Sequence, residues 1–148
     1  MSSDILVNRF RTFLLLVAGA TCVFTIVELW LEEHTGDPPQ LIPFVLCGLG
    51  TVAIAAVLFR PRRATLRTLR IVMGVTLFGS LFGLYEHIEH NWEFAQEIRP
   101  NAIFSVLLSD TLHGANPLLA PGILALSAVL AIAATYFHPQ LQEPDSSG

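Results

Sequence analysis

The chain has 148 residues, of which 53% are hydrophobic and 14% charged, with a formal charge of −4 and a mean hydropathy of +0.59. Soluble domains carry charge on roughly a quarter of their residues, so this composition excludes an ordinary water-soluble fold and places the chain in a lipid bilayer. The length allows one integral membrane domain over 1–148, with no catalytic nucleophile or nucleotide-binding loop in it and no nucleic-acid partner expected.

Four apolar runs follow one another. Each is long enough to cross roughly 30 Å of hydrocarbon at about 1.5 Å per residue. Span 1 covers about 12–31 and is apolar except for Glu28 near its end. Arg9 and Arg11 ahead of it could open a secretory signal. The run continues well past its small-residue site, Ala18-Gly19-Ala20, so an uncleaved span is expected. A short loop from Glu32 to Pro39 follows, and its proline pair favours an extended turn. Span 2, about 41–59, carries no charge. Next come Arg60, Arg62, Arg63, Arg67 and Arg70, spaced to lie along anionic headgroups at the start of a helix.

Span 3 starts after Arg70, stays apolar to about Tyr85 and is taken over 71–90. Nothing between Tyr85 and Ile98 breaks a helix, so the helix is expected to run on until Pro100 stops it. A short interfacial helix is predicted from about Asn101 to His113, with a stripe of Ser105, Ser109 and His113 opposite the apolar Ile103, Phe104, Leu107 and Leu108. Asn116-Pro117 turns the chain into an uncharged span 4, about 118–137, which Pro121-Gly122 should kink near its start. The predicted fold is therefore all-α: a four-helix transmembrane bundle with a short interfacial helix between spans 3 and 4.

Charge sets the direction of the spans. One side carries seven of the eight arginines against Asp4, Glu143 and Asp145, while the other carries Arg99 against nine carboxylates. The positive-inside rule makes the arginine side cytoplasmic, with both termini there, as in a bacterial inner membrane. Trp30, Tyr85 and Trp92 lie where an aromatic belt belongs. Gly79 and Gly83 form a Gly-x-x-x-Gly pair suited to close helix packing. Cys22 and Cys47 fall inside apolar runs and read as packing residues, with a disulfide or a soft-metal thiolate pair as the alternative.

The acidic side holds the residues with chemistry. Glu28 and Glu32 stand at i,i+4 with His34 beyond; Glu86 and His90 stand at i,i+4 with His87 beside them; Asp110 and His113 stand at i,i+3. Glu86, His90, Glu93 and Glu97 share one helical face, where unpaired carboxylates repel. Carboxylates and imidazoles on facing helices are donors for zinc, copper, iron or manganese, although the Glu-x-x-His pairs of the di-iron class are absent. Glu28, within a span, needs an inward-facing partner or must reach back to the headgroups. The leading expectation is a cation centre on the non-cytoplasmic face. Glu28, Glu32, His34, Glu86, His87, His90 and His113 would bind a transition-metal ion there, supported by Glu93 and Asp110. The alternative is a non-catalytic accessory subunit whose apolar faces and Gly79/Gly83 pair pack against a larger membrane complex; a homo-oligomer is the other assembly open to it. A third candidate, an ion conduit formed by an oligomer, is disfavoured because no span carries a charge at mid-membrane.

Overall fold

The computed structural model describes residues 3–142, and these are helical with no strand among them. Asp145, Glu143 and Gly148 lie outside the described residues. Six α-helices follow in order: α1 (Ser3–Leu31), α2 (Ile42–Phe59), α3 (Arg63–Ile98), α4 (Phe104–Leu112), α5 (Leu119–Ala134) and α6 (Pro139–Gln142). Three of them are long and apolar enough to cross a membrane, as expected of a membrane protein: α1, α3, and α2 together with the 3-10 turn that precedes it. Less than a third of each apolar window is buried within the chain, at 22%, 28% and 22%. Phe24, Val52, Phe59, Ile71 and Phe78 instead face outward. So much exposed apolar surface calls for an apolar solvent.

The interior has the opposite character. Ala18, Cys22, Cys47, Gly50, Ala53, Ala128 and Ala131 let the backbones approach closely. Buried hydroxyls are satisfied by backbone carbonyls: Thr76 donates to Val72 O and Ser80 to Thr76 O within α3, and Ser127 crosses from α5 to Ala18 O on α1 at 2.9 Å. Helix α5 packs against α1 and α3, and α2 packs against the same two from the other side, giving a closed ring of antiparallel neighbours. The glycine pair works inside this ring. A β-carbon on Gly79 would meet Leu46 Cδ1 of α2 at 2.9 Å, and one on Gly83 would touch Pro121 at the start of α5. Cys22 and Cys47 are free, fully buried thiols, consistent with their reading as packing residues.

Several boundaries differ from expectation for identifiable reasons. Pro38 and Pro39 open a 3-10 turn rather than an extended one, because first-turn positions have no N–H bond to lose. Pro121 falls in the first turn of α5, so the expected interior kink becomes the beginning of the helix. Helix α5 ends at Ala134, three residues before the predicted limit, where Phe137 takes a left-handed backbone conformation. Arg11 and Arg70 hold this end. Arg11 donates to Tyr136 O and Phe137 O, and Arg70 donates to Thr135 Oγ1 and Thr135 O. Cations at carbonyls left over by a helix C-terminus are favourable. Helix α3 does run on to Ile98, a single rod of 36 residues and roughly 54 Å.

Candidate functional site at the acidic end

Beyond Tyr85, α3 leaves its apolar stretch and carries charged and polar residues on most of its surface. Pro100 ends it, and the turn at 99–103 reverses the chain so that α4 packs back along it. The packing face of α3 is formed by Asn91 and Ala95, both buried, and that of α4 by Leu107 and Thr111, also buried. Helix α4 begins at Phe104 rather than Asn101, because Ile103 is extended and serves as its N-cap. Trp92 and Phe104 bring their ring centroids to 5.8 Å across this contact.

Asn91 fixes the hairpin. Its side-chain Nδ2 donates to Thr111 O at 3.1 Å and to Asn116 O at 2.9 Å. Its Oδ1 accepts the Asn116 backbone N–H at 3.0 Å and the Asn116 side-chain amide at 3.1 Å. With 2% of its surface exposed, the amide has protein partners for all the bonds it needs. Gly114 lies so close that a β-carbon there would overlap the Asn91 amide. One helical turn earlier, His87 Nδ1 donates to Pro117 O at 2.7 Å. A carbonyl can only accept, so this nitrogen carries the proton. Asn91 and His87 together tie the loop ahead of α5 to α3.

The predicted metal ligands are not assembled. Among the described residues, no three His, Cys, Asp or Glu side chains come together where they could hold a metal ion, so the structure gives the expected centre no support. The reasons are local. Glu28 lies on the exposed face of α1, and Glu32 is exposed at its end. His34 is placed by a C-terminal capping turn in which Glu33 adopts a left-handed conformation, Glu33 N–H bonds Trp30 O and His34 N–H bonds Leu29 O. Glu86 is half-buried on α3. His90 is exposed and its Nδ1 donates to Glu86 O at 2.7 Å, while His113 donates to Ser109 O at 2.8 Å. Each of these two imidazoles is thus held to its own helix. Asp110 pairs with Arg99 at 3.2 Å rather than orienting a histidine.

What the end does possess is a division of faces. Asn91 and Ala95 turn toward α4, whereas Glu89, His90, Glu93 and Glu97 are exposed on the opposite side of the same helix, with Glu86 at their edge. Arg99, the arginine of this end, is engaged by Asp110. The result is a two-helix knob with one acidic wall. Helix α4 adds a second exposed surface, the apolar line of Phe104, Leu108 and Leu112.

Asn91 and its pairing with Asn116 escaped the sequence reading, which saw Asn116 only as part of a turn. The available signal was an amide in a helix otherwise occupied by charges, followed 25 residues later by Asn-Pro, a pattern too common to single out. Comparison with known protein families, with characterised proteins and with solved structures finds no match, so the chain's own residues carry the functional argument.

Proposed function

We propose that this chain is a non-catalytic accessory subunit of a membrane complex that presents its acidic knob to a basic segment of a partner. The observation that carries this reading is the opposition of faces on α3. One side is locked to α4 by Asn91, and the other holds Glu89, Glu93 and Glu97 in the open at helical spacing. A fixed row of like charges is costly alone and favourable beside a complementary surface, which it selects and orients. In this reading α1, α2, α3 and α5 all cross the bilayer, with both termini and the arginine end in the cytoplasm. The apolar line of α4 then rests on the outer surface of the membrane.

Two measurements test it. Reporter fusions at Ala64 and Gly148 should read cytoplasm and one at Asp37 the outside; an outside signal from Ala64 would reverse the orientation. Extracted in mild detergent, the native protein should migrate as an assembly larger than its own 16.2 kDa. Added salt, or the triple variant Glu89→Lys, Glu93→Lys, Glu97→Lys, should release it. Wild type migrating as a lone chain at every ionic strength would sink the proposal.

A cation centre is the second reading. It draws on the Nδ1–H tethers of His87, His90 and His113, which leave Nε2 as the lone-pair nitrogen that a metal would use. Elemental analysis of protein purified without chelator decides it, since a metal-free protein indifferent to added zinc, copper, manganese and iron excludes it.

A further inference from the structure

At the arginine end, the junction of α1, α5 and the α2–α3 turn leaves a notch of about 120 Å³. Asn8, Arg11, Thr12 and His138 give its lining a polar side, while the buried Thr135 and the apolar Leu15, Leu58 and Leu66 line it more deeply. The rim is cationic. Arg11 belongs to it, and Arg70 is bonded to Thr135 in the same wall. Burial and these two arginines hold the His138 imidazole below its ordinary range. Cations gathered over an apolar floor favour an anion that brings hydrocarbon with it.

The notch does not stand alone. A second, open furrow of about 350 Å³ runs along the outer surface between α1 and α2. Leu15 and Leu58 line both depressions, so the two adjoin. From these shared leucines the furrow follows α1 as far as Phe24, about 13 Å at about 1.5 Å per residue. Gly19, Ala20 and Ala55 keep it open, and its walls are almost wholly apolar. A polar cationic notch adjoining a long apolar furrow matches the chemistry of one phospholipid: a headgroup at the membrane edge and an acyl chain along the helices.

We propose that this composite site binds an anionic phospholipid, with its phosphate in the notch beside Arg11 and His138 and one acyl chain in the α1–α2 furrow. Basic pockets between membrane helices are a recognised setting for acidic headgroups. The proposal rests on the membrane reading of the fold and is independent of the accessory role and of the acidic knob.

The test uses the full chain in mild detergent and follows thermal stability and lipid retention by native mass spectrometry. The probes are phosphatidylglycerol, phosphatidylcholine of the same acyl chains, and inorganic phosphate. Phosphatidylglycerol should stabilise the protein and remain bound, while phosphatidylcholine and phosphate should do so at least about tenfold less effectively. Arg11 also holds the end of α5, so the variants are chosen elsewhere. His138→Asp places a carboxylate on the rim, and Ala20→Phe fills the furrow from an exposed position. Each should weaken phosphatidylglycerol binding by about tenfold or more. Equal effects of phosphatidylglycerol and phosphatidylcholine would overturn the headgroup assignment. Inorganic phosphate matching phosphatidylglycerol would overturn the lipid assignment in favour of a free-anion site. Undiminished phosphatidylglycerol binding in both folded variants would remove the site altogether.

Discussion

Asn91 and Asn116 share three hydrogen bonds: the Asn91 amide donates to the Asn116 carbonyl at 2.9 Å and accepts its backbone N–H at 3.0 Å and its side-chain amide at 3.1 Å. The pairing closes the path from α3 through α4 to the beginning of α5. Asn91→Leu should leave the Asn116 N–H and the Asn116 carbonyl without their partner, at up to about 1–3 kcal/mol for each group so orphaned. Gly114→Ala should damage the same junction from the other side, by driving a methyl group into the Asn91 amide. Both variants should lower the unfolding temperature in detergent and speed proteolysis between Arg99 and Leu118. Wild-type protease resistance in both would show that the junction is dispensable.

Glu33 holds a left-handed backbone conformation with φ of 50°, at a helix-capping position usually given to glycine. Glu33→Gly should therefore stabilise the protein by roughly 0.5–1 kcal/mol, because relief of the strained backbone outweighs the added freedom of the unfolded chain. Chemical denaturation of the two proteins side by side measures the difference, and a less stable glycine variant would contradict the capping geometry.

Glu28 is exposed on α1, so Glu28→Gln should change stability by less than about 0.5 kcal/mol, the usual range for surface substitutions. Histidine titrations followed by NMR should also be unmoved. A shift in the His87 or His90 titration would restore the inward-facing arrangement that the structure does not show.

His138 gives the arginine end a pH dependence of definite sign. Its imidazole is held below the ordinary value of 6.5, first by burial and then by the charges of Arg11 and Arg70. Near and below that value the unfolded chain binds more protons than the folded one, so stability drops as the pH is lowered. The contribution of neutral His138 is fully present above about pH 6.5 and is lost as pH drops through the depressed folded value. Between about pH 8 and about pH 5, wild type should lose more stability than His138→Gln. Parallel profiles would show that His138 is not held below its ordinary range in the folded protein.

Local rules made much of the architecture readable. Helix α3 could be followed to Ile98 because no breaker precedes Pro100, and the small residues of the core were visible as Ala, Gly and Cys within apolar runs. The helix ends were harder to read, since they depend on partners distant in sequence. Arg11 reaches Phe137 and Arg70 reaches Thr135, contacts across 126 and 65 residues that no periodicity announces. The same difficulty affected Glu28. A span that is apolar all round has no amphipathic stripe, so its sequence does not say which side faces the bundle. The histidine pattern was visible, but whether i,i+4 neighbours converge on an ion or bond their own backbone is settled by side-chain geometry that spacing leaves open.

Helix α5 is the shortest member of the ring: its 16 residues extend about 24 Å, against roughly 30 Å for a typical core. It is nevertheless pinned at both ends to α3, through His87 and Pro117 at one end and Arg70 and Thr135 at the other. Being pinned, it cannot slide or tilt independently to adjust. In the four-span arrangement the lipid must adjust instead, and the bilayer should be thinner beside α5 than around the rest of the protein. Hydrophobic mismatch of this kind costs fractions of a kcal/mol per Å, enough to bias a protein toward thinner membranes. Reconstitution into bilayers of graded acyl length should therefore show an optimum on the short side, set by the shortest helix and not by the longest.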